Sequence, residues 1–230
     1  MKFFLILIAS LVIFSSCTNK YENLLKSNTA EVREFLMEGN GKDIKVSLIC
    51  GKREKDYKIN GYASELIEFG VLTFELENID EYDENLANFV LLVGTTRYDG
   101  SLEKNPFDDT LVADIKKIIN HNENVVAKII IGDYSQEIKL KCVNNDFKVT
   151  SDDVYKIVAS TYKKQLELIN SNNVFNGEIY IKILNDADMY KGDYYWYVTL
   201  VTRKGGKVSL IISPYTAEIL ASNDTIEKIA

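Results

Sequence analysis

Short runs of alternating apolar and polar residues, separated by Gly, Asn and Asp, fill the chain from residue 44 to residue 149. Alternation places every second side chain on the same face, which is typical of half-buried β-strands. Leu66–Leu76 is the longest such run, and Gly70 within it indicates a bend. Leu111–Ile119 instead has apolar residues at helical spacing, which predicts one short helix. We therefore predict a β-rich, sandwich-like domain over residues 30–149.

The pattern changes at residue 150. Thr150–Asp153 offers a hydroxyl and carboxylates that can cap a helix, and apolar residues follow at helical spacing to about Asn170. Strand patterns then return; they are Glu178–Leu184, Tyr194–Thr202, Val208–Ser213 and Glu218–Ala221. One helix laid across an antiparallel sheet buries both apolar surfaces, so residues 150–230 are predicted to form an α+β domain.

The N-terminus has the parts of an export signal. Lys2 precedes the twelve-residue stretch Phe3–Phe14, which is too short to span a bilayer, since a crossing takes about 20 apolar residues. Ser15-Ser16-Cys17 resembles the end of a bacterial lipoprotein signal. The resemblance implies that residues 1–16 are removed and that Cys17 is lipidated. Residues 17–29 would then be an anchor and tether, and the protein would lie on the extracytoplasmic face of the cell membrane. The alternative is an ordinary secreted protein cleaved near Ser16.

The second domain resembles a known family in its aromatic strand, its glycine turn and its closing segment. Tyr195–Val201, Gly205-Gly206-Lys207 and Ser213–Leu220, after the helix from Asp152 to Ile169, are similar to a PepSY-type domain. Ala217 departs from the family pattern, which usually has glycine at that place. The resemblance implies a non-enzymatic module that regulates or restrains a peptidase.

Composition excludes some classes of function. The net charge of -7 and the pI near 5.0 argue against a nucleic-acid partner, because that affinity depends on clustered Lys and Arg. The single histidine, His121, lies in a polar loop and leaves little material for a metal site or a neutral-pH base. We expect no catalytic residues, no metal and no cofactor.

Two cysteines remain after Cys17. Cys50 and Cys142 both fall in the apolar phase of their predicted strands, so both thiols should point into a core. An exported protein permits a disulfide between them, but two buried thiols without a bond are equally compatible with the pattern.

The aromatic residues near the C-terminus offer a candidate binding face. Alternation separates Tyr194 and Trp196, on the side expected to be covered by the helix, from Tyr195 and Tyr197 on the other side. Tyr180 of the neighbouring strand falls on that second side. Tyrosine combines a large contact area with a polar tip, which suits binding surfaces. We therefore predict a partly exposed patch of Tyr180, Tyr195 and Tyr197.

Together these patterns predict a lipid-anchored binding or interaction module whose partner is another cell-envelope protein. Two alternatives remain open. A small-ligand-binding lipoprotein would need a pocket, and a hydrolase that uses carboxylates would need a buried acidic pair. The acidic clusters Asp80–Glu84 and Asn185–Asp188 match no calcium loop, and solvated turns are their simpler interpretation.

Overall fold

The computed structural model describes residues 20–55, 65–78, 86–171, 174–186 and 193–226. The chain forms two compact units. Unit 1 takes in the described parts of residues 1–32, 53–66 and 147–230, and unit 2 consists of residues 33–52 and the described parts of 67–146. The predicted boundary at residue 150 lies close to the observed one at Phe147. Unit 1 differs from the predicted second domain because it also includes segments from the first part of the chain.

Unit 2 is built from β-strands. The strands that contribute to it, some of which begin or end in unit 1, are β1 (Thr29–Asn40), β2 (Ile44–Glu54), β3 (Leu66–Leu76), β4 (Ala87–Val93), β5 (Thr96–Ser101), β6 (Glu103–Lys104), β7 (Thr110–Ile115), β8 (Val125–Ile131) and β9 (Tyr134–Cys142). They pair in the order β5-β4-β8-β9-β1-β2-β3-β7-β6. Only Leu102 separates the two end strands along the chain, and its backbone N–H donates to Ala87 O at 2.9 Å. The sheet therefore nearly closes on itself, where a sandwich had been expected.

The inner face of this sheet is filled with side chains. In β8 every second residue is buried, from Val125 to Ile131, as the alternation predicts. The fully buried members of this core include Leu48, Leu72 and Leu91. On the outer face of β4, Leu92 is 38% exposed.

Asn144 extends the pairing of β9 with β1 beyond the last strand residue. It lies in the 3-10 helix Val143–Asp146, next to Cys142. Its side-chain Nδ2 donates to Glu34 O at 3.0 Å, and its Oδ1 accepts from Leu36 N at 2.9 Å. One carboxamide therefore satisfies a donor and an acceptor of β1, as a neighbouring strand would.

Unit 1 combines a sheet with helices. The described part of the first helix, α1, covers residues 20–27. The later elements are α2 (Ser151–Thr161), α3 (Lys163–Ile169), β10 (Asn170–Ser171), β11 (Val174–Phe175), β12 (Gly177–Asp186), β13 (Asp193–Thr202), β14 (Lys207–Ile212) and β15 (Ile219–Asp224). β12 to β15 form an antiparallel sheet in chain order, and the start of β1 adds to β12 in parallel.

Helices α2 and α3 lie over one face of this sheet. The Tyr155 hydroxyl of α2 lies 2.7 Å from that of Thr29, the partner of Ile179 in the β1–β12 pair. Gln165 of α3 donates to Asp224, the partner of Val208, at 2.8 Å. The face beneath the helices is apolar and almost completely buried; it consists of Ile179, Ile181, Ile183, Trp196, Val198, Leu200, Val208, Leu210 and Ile212.

The start of α2 forms as its sequence predicts. Asp153 N donates to the Thr150 hydroxyl at 3.3 Å, and Thr150 N donates back to Asp153 Oδ2 at 3.2 Å, which makes a capping box. The ammonium of Lys156 and then the Thr150 side chain hold the pKa of the Asp153 carboxyl below its ordinary value. Trp196 Nε1 donates at 2.9 Å to the carbonyl oxygen of Val149, directly before the cap.

Two sequence-based expectations were wrong. The segment Leu111–Ile119 begins as strand β7, because β3 pairs with it and buries Leu111, Ala113 and Ile115 in alternation. The expected tether over residues 17–29 is not a free linker in its described part. Residues 20–27 are helical, and Tyr21 and Leu25 are buried. Asn60-Gly61, a dipeptide typical of a type I′ hairpin turn, lies outside the described residues.

Candidate functional site

The sheet of unit 1 has a second face, opposite the helices. We call it the tyrosine face and define it by the residues Tyr180, Lys182, Tyr195, Tyr197, Thr199, Ser209 and Ile211. Strand register aligns them in cross-strand rows. Tyr180, Thr199 and Ser209 are successive partners in one row, and Lys182, Tyr197 and Ile211 in the next. Residues directly opposite one another in such pairs lie side by side on the same face.

Two of the three tyrosines of the predicted patch are accessible. Tyr180 and Tyr197 are half-buried, but Tyr195 is only 8% exposed, so its expected exposure is corrected. Its strand partner is Leu184, which is 39% exposed. The accessible aromatic surface therefore belongs to Tyr180 and Tyr197.

Lys182 contacts the Tyr180 ring and is the strand partner of Tyr197. Its ammonium lies 5.7 Å from the centre of the Tyr180 ring and 3.5 Å from the Glu31 carboxylate. The Tyr180 hydroxyl donates to Glu178 at 2.8 Å. These contacts restrict the side-chain rotamers, so less conformational entropy would be lost on binding.

Tyr197 has a polar environment at its hydroxyl. The hydroxyl donates to Ser209 Oγ at 3.5 Å. Ser209 and next Thr199 hold the pKa of Tyr197 below its ordinary value of 10, and the positive charges of Lys207 and Lys182 lower this pKa further.

Thr199 is the buried polar residue at the centre of the face. It is 8% exposed, and its Oγ1 has no hydrogen-bond partner among the described residues. A buried hydroxyl without a partner costs about 1–3 kcal/mol. A group placed on this face by a bound partner could satisfy it. Sequence alone gave no signal for this, because Thr199 fits the strand pattern in either environment.

A second aromatic group lies near the start of α2. Phe147 contacts Tyr194, Trp196 and Tyr215, with ring centres 6.2, 6.1 and 5.7 Å away. Trp196 is buried and bonded to Val149, so this group supports the helix start.

The two cysteines are free thiols in the structure, and both are buried. Burial raises the pKa of Cys50 to about 11 and also raises the pKa of Cys142. A thiol held in its neutral form is a poor nucleophile, so these residues have the properties of core side chains. The disulfide between Cys50 and Cys142 that the sequence permitted is not formed in this structure.

Other residues singled out in the sequence have no shared site. His121 stacks on Phe35 with ring centres 3.9 Å apart. Asn185 and Asp186 end β12, whereas Asp188, Tyr190, the cluster Asp80–Glu84 and Cys17 lie outside the described residues. Within the described ranges, no group of three or more His, Cys, Asp or Glu could hold a metal ion. No helix in the described part of the chain is long and apolar enough to cross a membrane.

Comparison with known proteins gave no relative. No protein-family model, no curated protein and no solved structure matches this chain. The candidate site therefore rests on its own geometry.

Proposed function

We propose that this protein is a lipid-anchored extracytoplasmic interaction module that binds another cell-envelope protein through the tyrosine face. The observation that supports this best is the composition of the face. One side of the sheet is covered by helices. The other presents two half-buried tyrosines, with Lys182 against the Tyr180 ring and paired in register with Tyr197.

The chemistry of the face fits a protein partner. Tyrosine is enriched at the energetically important centres of interfaces, where its ring is buried and its hydroxyl keeps a polar contact. The hydroxyls of Tyr180 and Tyr197 already have partners within the chain. The Thr199 hydroxyl, which has none among the described residues, lies in the same cross-strand row as Tyr180, beside the row of Tyr197. A partner segment with a hydrogen-bonding group at this point would gain both apolar contact and a missing bond.

The anchor is proposed from the segment before unit 1. Lipidation of Cys17 would tie the mature chain to the membrane, and two or more acyl chains give stable attachment where one is marginal. The described part of α1 is already helical at residue 20, three residues after Cys17, so the proposed anchor would leave little chain between the membrane surface and α1.

The proposed partner class follows from the resemblance of the C-terminal segment to a PepSY-type domain. Ala217 stands where that family usually has glycine, and its φ of +65° lies in the left-handed region that favours glycine. The turn geometry of the family is thus compatible with this chain despite the substitution. A peptidase of the cell envelope is the partner that the resemblance favours.

Site-specific photocrosslinking on intact cells tests the proposal. A benzoylphenylalanine probe replaces Tyr180 or Tyr197, and a matched control probe replaces Phe107, which is 93% exposed in unit 2. We expect both face probes, and not the control, to crosslink to the same envelope protein. Crosslinking that is equal at all three positions, or absent from both face positions, would contradict the proposal.

The identity of that protein must then be tested with purified components. Its binding to the full-length protein in detergent should be saturable and should weaken when Tyr197 is replaced by Ser. A Tyr197→Phe variant separates the hydroxyl from the ring, because Phe keeps the contact area and loses the bond to Ser209.

A further inference from the structure

Unit 2 contains a cleft that the proposed interaction does not use. It has a volume of about 370 Å³ and is lined by Lys42, Asp43, Leu76, Asn78, Tyr134, Ser135 and Gln136. These residues come from the β1–β2 turn, the end of β3 and the start of β9. Small-molecule sites have volumes from about 300 Å³ upward, so this cleft is large enough for one or two small rings.

The cleft is held in shape by bonds of the β1–β2 turn. The Gln136 carboxamide accepts from Lys42 N at 2.7 Å and donates to Lys42 O at 3.1 Å and to the Tyr134 hydroxyl at 3.0 Å. Glu77 N donates to Asp43 O at 3.2 Å. A side chain at position 41 would collide with the Gln136 carboxamide, so the glycine there allows this contact. The wall of the cleft is therefore preorganised, which reduces the cost of binding.

Four of the lining side chains have polar groups that the described part of the chain leaves unused. Lys42, Asp43, Asn78 and Ser135 are exposed and form no side-chain hydrogen bond or ion pair with other described residues. They supply an ammonium, a carboxylate, a carboxamide and a hydroxyl. Donors and acceptors are thus both present, and the two formal charges cancel.

The remaining lining is apolar. Leu76 is 7% exposed and Tyr134 contributes a half-buried ring. A ligand that fits this combination is uncharged, has several hydroxyl groups and also has an apolar face of C–H groups. A sugar ring has this chemistry.

We propose that the cleft of unit 2 is a binding site for a neutral sugar ring. Vicinal hydroxyls of the ring pair with Asp43, Asn78 and Ser135, Lys42 donates to a ring hydroxyl or acetamido oxygen, and the C–H face packs on Leu76 and Tyr134. The ring is either a free monosaccharide or one unit of a glycan chain.

Saturation-transfer difference NMR with the full-length protein in detergent tests this site. The probes are D-glucose, N-acetyl-D-glucosamine and the β-1,4-linked trimer of N-acetyl-D-glucosamine, and glycine serves as a charged probe of similar polarity. We expect saturable transfer to at least one sugar. A signal from a monosaccharide indicates a free ligand, and a signal from the trimer alone indicates a glycan. Transfer only to glycine, or to none of the probes, would overturn the proposal.

Two variants locate the signal. Asp43→Asn keeps a residue that tolerates the backbone φ of +58°, and Asn78→Ala removes an exposed side chain without a partner, so both should fold. Each should raise the Kd by about tenfold or more, which equals about 1.4 kcal/mol. The matched control is Lys128→Gln on the outer surface of β8, where no change is expected. Equal affinity in wild type and both cleft variants would overturn the assignment even if a sugar binds elsewhere.

Discussion

Replacement of Ala217 by glycine is expected to stabilise unit 1. Ala217 has a φ of +65°, and its N–H donates to Ser213 O at 3.1 Å, which fixes this conformation in the turn before β15. The left-handed conformation costs a residue with a Cβ about 1–2 kcal/mol. Glycine removes this cost but increases the entropy of the unfolded chain, which offsets about 0.4–1 kcal/mol. Because the Ala217 side chain is exposed, little packing is lost, and the net gain should be about 0.5–1 kcal/mol.

Urea unfolding followed by tryptophan fluorescence measures this gain. Trp196 is the only tryptophan of the chain, and it lies in the same unit as the turn. With a typical slope of about 1–3 kcal/mol/M, the midpoint should rise by about 0.2–1 M. Ala221→Gly is the matched control, because Ala221 is exposed within β15 and glycine in a strand should lower the midpoint. A lower midpoint for Ala217→Gly, or shifts of the same sign in both variants, would refute the reasoning.

Four further predictions rest on contacts described above. Thr150→Ala should lower the free energy of unfolding of unit 1 by about 1 kcal/mol, because it removes the capping hydroxyl. Thr150→Ser keeps that hydroxyl and should lower it by no more than a few tenths of a kcal/mol. Equal losses for the two variants in urea unfolding would exclude the capping role. Asn144→Ala should cost about 1–3 kcal/mol by circular dichroism, because it leaves one donor and one acceptor of β1 unpaired, while the exposed neighbour Asn145→Ala should change little. Ellman's reagent should leave Cys50 and Cys142 unmodified at pH 8 in the folded protein and react with both after unfolding; rapid reaction in the folded state would contradict their burial. The pKa of Cys50 rises from 9 to about 11 on folding, so the stability contributed by its neutral thiol is complete below pH 9 and is lost as the pH rises through 11. The urea midpoint of wild type should therefore fall between pH 9 and pH 11, and that of Cys50→Ala should fall less over the same range; equal slopes would contradict the shift.

Local patterns predicted the strands more reliably than their arrangement. Leu66–Leu76 forms β3 with the predicted bounds, since its alternating residues have an apolar core beside them. Thr150 begins a helix as expected because the cap depends only on neighbours three residues away. The parallel pairing of β1 with β12 joins residues about 150 positions apart, and no local pattern carries that information.

The helix predicted at Leu111–Ile119 and the tether predicted at residues 17–29 were wrong for a physical reason. Leu111, Ile115, Ile118 and Ile119 fit a helical period, but pairing with β3 and β6 makes the first part of this segment a strand, in which Leu111, Ala113 and Ile115 are buried in alternation. Residues 20–27 are mostly polar, and their burial of Tyr21 and Leu25 depends on the distant helices of unit 1. Tertiary contacts thus determine the conformation of both segments.

The candidate site could likewise be predicted only in part. Alternation alone placed Tyr180, Tyr195 and Tyr197 on one face, and the register of β12 with β13 confirms this shared face. It could not give the burial of Tyr195 or the unsatisfied hydroxyl of Thr199, because both depend on how neighbouring strands pack. The cleft in unit 2 was not predicted, since its residues come from three separate chain segments.

The most direct test of the proposed interaction is the affinity of the crosslinked envelope protein for wild-type protein and for a Tyr180→Ser/Tyr197→Ser variant, both full-length in detergent. Loss of two central tyrosines should weaken binding by about 2 kcal/mol or more, which is roughly 30-fold. Phe107→Ser, in unit 2, is the control and should bind like wild type. An unchanged affinity of the double variant, with its fold retained by circular dichroism, would contradict the account.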